Sequence, residues 1–218
     1  MLDISFFSNT KDDLHCVQAV LKSVLKYYFP KENYSFKQLD EITAHKKGRW
    51  TWRNAMLLYL SNRGLEVIEM VDFDSKKFAK EGRAFLKRVW PKEVFEIQDQ
   101  YSDFDQEQML TKELLKEKRV KLEIRVPLLS DMRKLFKKDY LLMTSINPCV
   151  INHQDGYRSH FVLITDIGKD YVTYHDPGIP PMPHRKIPLK LFLKAMGYPK
   201  RCDAALYAIR YVSDHIYL

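Results

Sequence analysis

Residues 160–176 constrain this chain more than any other stretch. His160–Ile167 reads HFVLITDI and Tyr171–Asp176 reads YVTYHD, both rich in β-branched and aromatic residues. Only Gly168, Lys169 and Asp170 separate them, which is room for a tight turn and nothing longer, so the two runs are predicted to form an antiparallel hairpin. Pairing Ile167 with Tyr171 sets Val162 opposite Asp176. His160 lies two residues from Val162 and shares its face, so His160 and Asp176 are expected as diagonal cross-strand neighbours. A slip of one residue would place them on opposite faces. His175 points away from Asp176 and is the weaker partner.

A second feature gives this pair a chemical context. Residues 14–29, LHCVQAVLKSVLKYYF, carry Val17, Val20, Leu21, Val24, Leu25 and Tyr28 at three- and four-residue spacing, the pattern of one apolar helix face. Asp12 and Asp13 stand where they can cap its free N–H groups, and Pro30 ends it. Cys16 then falls in the first turn, where the helix dipole favours a thiolate. A free cysteine on a helix is more often a small buried hydrophobe. A histidine and an aspartate at a strand end are often just solvated. Together, a Cys with distant His and Asp partners is the pattern of a nucleophile, a base and an orienting carboxylate. His15 reads as exposed, because adjacent helical residues face different ways.

Composition bounds the alternatives. The chain has 218 residues, 45% of them hydrophobic, enough for a full core in one domain carrying an insertion. Three widely spaced cysteines give no disulfide framework and fit a reducing, cytoplasmic setting. No signal peptide and no run long and apolar enough for a membrane span is evident. The net charge of +8 raises nucleic acid as a partner. However, the charge alternates between an acid-rich stretch at 92–110 and a base-rich one at 111–140, the pattern of solvated helices, and no nucleic-acid motif is present. Cys149, His153, His160, His175 and His184 share a region without the spacing of a zinc motif, so no metal or cofactor is expected.

The remaining elements read as scaffold. Short helices are expected at Lys37–Thr43 and at Trp52–Asn62, the latter capped by Thr51 and closed by Gly64. Leu65–Val71 alternates like a strand. Residues 75–126 read as largely helical up to KELLKEKRVKLEIR, an insertion or lid that either covers a cleft or merely elaborates the fold. Pro177–Pro188 reads as an extended loop, and Ala204–Val212 as a closing strand or helix. Trp50 and Trp52 either pack on the core or line a substrate cleft; aromatic area favours packing.

A Cys-headed helix near the N-terminus, a strand HFVLITDI and a strand ending YHDPG resemble the papain-fold cysteine peptidases that cleave double-glycine leader peptides from bacteriocins, together with their stand-alone relatives. The segment Ser130–Asn147 also matches that family's helix and central strand. The resemblance spans residues 8–72 and 128–178 and omits Ser75–Val126. It implies a papain-like α+β fold, with N-terminal helices packed on an antiparallel sheet. It also implies that Cys16 is the nucleophile, His160 the general base and Asp176 the orienting carboxylate. Members carry a glutamine six residues before the cysteine, whose amide joins the cysteine N–H in an oxyanion hole. That position is Thr10 here, so the hole falls to Asn9 and the Cys16 N–H. The family's Gly after the cysteine is Val17, and its usual Asp or Asn before it is His15. The implied activity is thiol hydrolysis of a peptide or isopeptide amide in a peptide or protein substrate. The same site serves an acyltransferase, deamidase or transglutaminase, because water and amines compete for one thioester. An inactive, peptide-binding module is the third reading.

Overall fold

A computed structural model describes residues 1–211. In chain order the elements are α1 (Cys16–Tyr28), α2 (Phe36–Ile42), α3 (Asn54–Asn62), β1 (Leu65–Val71), α4 (Ser75–Glu81), α5 (Arg83–Val89), α6 (Lys92–Tyr101) and α7 (Phe104–Leu114). There follow β2 (Val120–Ile124), α8 (Leu129–Phe136), β3 (Leu141–Ile146), α9 (Pro148–Ile151), β4 (His160–Ile167), β5 (Tyr171–Asp176), β6 (Met182–Pro188), α10 (Leu189–Met196), a 3-10 turn (Arg201–Asp203) and β7 (Ala205–Tyr211). The strands form a seven-stranded sheet in the order β2-β1-β7-β3-β4-β5-β6, antiparallel except for β1 with β2.

Both faces of this sheet are covered, which explains its long apolar runs. On one face, Val17, Leu21, Val24 and Leu25 of α1 and Met56, Leu57 and Leu60 of α3 pack over Val67, Met143, Phe161, Leu163 and Ile209. On the other, Met132 and Leu135 of α8 and Phe192 and Met196 of α10 pack over Ile68, Leu142, Val162, Ile164 and Tyr174. A smaller aromatic cluster, Phe78, Phe85, Phe95 and Phe104 with Trp52, Phe73 and Trp90, holds α4–α7 together.

Several local expectations are corrected. The hairpin turn is one residue tighter than expected: Gly168 N–H donates to the Tyr171 carbonyl at 3.0 Å, and Ile167 pairs with Val172. A bulge between Ile164 and Asp166 then restores the register, so Leu163 opposes His175 as the longer turn would have placed it. Residues 120–124 form a strand rather than helix, because Val120, Leu122 and Ile124 alternate with charged residues. The proline-rich stretch is partly strand as well. Being at the sheet edge, β6 can carry Pro183 and Pro188 without breaking an inner ladder. Thr51 does not cap α3; its hydroxyl meets His45 Nδ1 at 2.8 Å instead. The closing segment is β7, a strand, and Val212 lies outside the described residues.

A buried polar group joins α3 to α7. Asn54 Nδ2 donates to Glu107 Oε2 at 3.0 Å and to Thr111 Oγ1 at 3.1 Å. Glu107 is 5% exposed, and burial pushes its carboxyl up to about 7, against the pull of the Asn54 bond and the Arg53 charge. A carboxyl whose pKa is raised on folding contributes most below its unfolded value near 4.5, and that contribution falls as pH rises toward 7. At 1.36 kcal/mol per unit, the loss is at most about 3 kcal/mol. Glu107→Gln keeps an acceptor for Asn54 and removes the ionisation. Urea unfolding should therefore find the variant gaining on wild type by about 1–3 kcal/mol between pH 4.5 and 8. A pH-independent difference would refute this.

Candidate active site

The first turn of α1 is positioned by the segment before it. Leu2 N–H donates to the Thr165 carbonyl at 2.8 Å, and Asn9 N–H donates to the Pro177 carbonyl at 2.8 Å. The chain is thus pinned beside the end of β5 immediately before it turns into the helix. Asp12 and Asp13 do not cap α1. The cap position is His15, whose own N–H donates to Asn9 Oδ1 at 2.7 Å, while Asp12 takes the Leu14 N–H at 3.3 Å. Cys16 is the first helical residue, so its N–H belongs to the group that lacks an intrahelical acceptor.

Cys16, His160 and Asp176 come together at this corner. His160 opens β4 and Asp176 closes β5, and both are buried. His160 Nε2 lies 2.7 Å from Asp176 Oδ1, and the ring stands near enough to the Cys16 thiol for each to shift the other's titration. With Nε2 on the carboxylate, Nδ1 is the nitrogen left for sulfur. The Phe161 N–H adds a hydrogen bond to the thiol.

The electrostatics favour an ion pair. Burial pushes the Cys16 thiol up, but the His160 hydrogen bond and charge, with the Phe161 N–H, outweigh it and hold the thiol below its ordinary 9.0. Burial acts against the His160 cation, yet Asp176 and Cys16 raise the imidazole to about 10. Asp176 is held below the usual carboxylate range: burial opposes this, and His160, Arg185 and the Gly178 N–H prevail. The shifts of all three groups favour the thiolate, imidazolium and carboxylate forms over their ordinary balance, and their titration belongs to the group rather than to one residue.

Two further residues, not identified from the sequence, shape this corner. Arg185 on β6 donates from Nη1 to Asp176 Oδ2 at 2.9 Å and from Nη2 to Asn152 Oδ1 at 2.6 Å, leaving Asp176 Oδ1 for His160. An arginine in a segment read as a loop gave no signal. Gly178 donates its N–H to Asp176 Oδ1 at 3.1 Å. A Cβ there would stand 3.1 Å from Asp176 Oδ1 and 3.2 Å from His160 Nε2, so the glycine of YHDPG gives the pair its space.

The other sequence candidates sit apart from this group or are used differently. Asn9 turns its amide N–H to Asp13 Oδ1 at 2.8 Å, and its oxygen accepts from Thr10 and His15 N–H, so its carboxamide is engaged in the turn before α1. Trp52 is in the aromatic cluster of α4–α7, with Nε1 donating to Ser102 Oγ at 3.0 Å. Trp50 is exposed and stacks on Tyr101 at 5.1 Å. His175 Nε2 reaches the Ile4 carbonyl at 2.8 Å, away from Asp176. His15, expected to be exposed, has a side chain only 12% exposed. Among the described residues, the metal-ligand side chains that converge are His15, Asp40 and His45.

No family model and no curated protein matches this sequence. Among solved structures, the chain is similar to the crystal structure of the peptidase domain of Streptococcus ComA, a bifunctional ABC transporter involved in a quorum-sensing pathway. The alignment covers 95% of this chain and 98% of that one, at 13% identity and a TM-score of 0.49. No helix among the described residues is long and apolar enough to cross a membrane.

The lowered thiol and raised imidazole predict a pH signature. Alkylation of Cys16 by iodoacetamide should reach half its maximal rate below pH 9.0. In His160→Ala burial, the largest effect, is opposed only by the Phe161 N–H, and the midpoint should move above 9.0. Coincident profiles would show that the two groups are not coupled. Gly178→Ala should cut Cys16 alkylation near pH 7 by about 10- to 100-fold by displacing His160 from Asp176. An unchanged rate in a folded variant would sink that reading.

Proposed function

We propose that this chain is a papain-like thiol hydrolase, peptidase-like in its reaction, that cleaves a peptide or isopeptide amide through a Cys16 acyl-enzyme. The observation that carries the reading is the His160–Asp176 bond of 2.7 Å beside Cys16, with the imidazole and the thiol each shifting the other's titration. The family resemblance of HFVLITDI and YHDPG supports the same roles for His160 and Asp176.

The reaction follows from these groups. The Cys16 thiolate attacks the amide carbonyl carbon, forming the S–C bond and an oxyanion. The Cys16 N–H at the start of α1 donates to that oxyanion. His160, as imidazolium, gives its proton to the leaving amine as the C–N bond breaks. Neutral His160 then takes a proton from water, which attacks the thioester and releases the acid and the thiolate. Asp176 fixes the ring tautomer and stabilises the cation, and Arg185 and Gly178 hold Asp176 in place.

Residues 75–126 act in this reading as an insertion beside the cleft. They are attached to the loop before α3 by Trp50 N–H to the Tyr101 carbonyl at 2.7 Å, Arg49 Nη1 to the Ser102 carbonyl at 2.7 Å, Trp52 to Ser102, Gln106 Nε2 to the Ala44 carbonyl at 2.9 Å and the Lys46–Asp103 ion pair. Trp50, exposed on Tyr101, is the aromatic surface we assign to substrate contact.

A second reading, a binding module that keeps the triad without turnover, is favoured by Asn9. With its amide on Asp13, a side-chain oxyanion donor is missing, and one such donor is worth about 100- to 1,000-fold in rate. Screening a library of peptide, isopeptide and acyl substrates against wild type and Cys16→Ala separates the readings. A hydrolase loses all turnover in Cys16→Ala, and at least about 100-fold in His160→Ala. If wild type forms no acyl-enzyme with any substrate, and peptides bind equally to Cys16→Ala, the binding reading holds.

A further inference from the structure

Beside Cys16, on the opposite side from His160 in sequence, lies a second group of ligand-type side chains that the thiol chemistry does not use. His15 opens α1, Asp40 lies near the end of α2, and His45 is in the loop that follows. Their ligand atoms all lie within 4.8 Å of one another. His15 Nε2 is 3.2 Å from Asp40 Oδ1, and the two imidazole rings are tilted at 52° with centroids 5.0 Å apart.

The groups behind these three are arranged like the outer shell of a metal site. His15 Nδ1 is held by Thr10 Oγ1 at 2.7 Å and His45 Nδ1 by Thr51 Oγ1 at 2.8 Å, which leaves Nε2 of each ring to face the third residue. Asp40 Oδ1 accepts from Gln18 Nε2 at 3.3 Å. Gln18 is fully buried in the first turn of α1, and the same amide also reaches Thr51 Oγ1 at 3.3 Å. Each first-line side chain is therefore oriented by a second group, as metal-ligating histidines and carboxylates are. The sequence concealed this because the ligands lie at 15, 40 and 45, outside zinc-finger spacing.

We propose that His15, Asp40 and His45 bind one divalent metal ion of the zinc type, with the fourth position left to water. Two imidazoles and one carboxylate are a borderline donor set suited to Zn²⁺. Bonds of about 2.1 Å in tetrahedral geometry put neighbouring ligand atoms about 3.4 Å apart. The His15–Asp40 separation of 3.2 Å already meets this. The widest separation needs to close by at most about 1.4 Å. The ion joins the first turn of α1, the end of α2 and the loop at 43–51, and so clamps the turn that carries Cys16. Binding does not depend on the triad reading, since it uses none of its side chains.

Titration of chelator-stripped full chain with Co²⁺ and Zn²⁺ tests the site. Wild type and Cys16→Ala should each take up one equivalent of Co²⁺ with visible d–d absorbance, released by excess Zn²⁺. Asp40→Asn and His45→Gln, checked for folding by circular dichroism, should lose at least about 100-fold in affinity, and Thr51→Val about 10- to 100-fold. Should His45→Gln fail to fold, Asp40→Asn and Thr51→Val carry the test. No uptake by wild type, equal affinity in the folded variants, or a sulfur-to-cobalt charge-transfer band that disappears in Cys16→Ala would each overturn the proposal.

Discussion

The pairing of β7 on both its edges holds the rest of this structure in place. β7 fits between β1 and β3, so among the described residues the two parts of the sheet, β2-β1 and β3-β4-β5-β6, are hydrogen-bonded to each other only through it. Its residues also alternate between the two cores: Ala205, Tyr207 and Ile209 face α1 and α3, and Leu206 and Ala208 face α8 and α10. Without that strand, neither helical layer would have a continuous floor. The corner where Cys16 meets His160 would then lose its fixed reference, because α1 packs on β4 and α3 on β1 within one apolar cluster.

At that corner the apolar packing of the sheet gives way to polar chemistry. Buried charges there are tolerated because each has a partner: Asp176 has His160, Arg185 and the Gly178 N–H, and His160 has Asp176 and Cys16. An unpaired charge at the same depth would cost several kcal/mol, roughly the stability margin of many domains. The polar corner is therefore bound to the fold by mutual dependence. Arg185 reaches Asp176 only because β6 is paired to β5, and Asn9 holds the turn before α1 only because it is tied to Pro177.

Much of this was legible in the sequence, and the failures have physical causes. β4 and β5 were visible because their β-branched runs have no helical alternative, and α1 because its apolar face repeats cleanly. The meeting of His160 with Asp176 agrees with the expected register only because the bulge at Thr165 cancels the tighter turn, which the sequence does not signal. The roles of Asn9, Thr51 and His15 were misread because each depends on a contact distant in sequence or on a loop conformation: Asn9 with His15, Thr51 with His45, and His15 with Asp40. Periodicity does not encode such contacts. Residues 120–124 were read as helix because the charged stretch before them is helix-prone, while the period-two pattern covers only five residues.

The bulge in β4 gives the hairpin an unusual property. One unpaired residue, Thr165, separates the turn register from the register at His160, and its carbonyl is taken up by Leu2. The two ends of one hairpin are thus geared independently. A change in turn length can be absorbed by removing or adding the bulge, while His160 keeps its place opposite the end of β5. The loop at 168–170 can consequently change by one residue in length without shifting the polar corner, a tolerance that an uninterrupted ladder would not have.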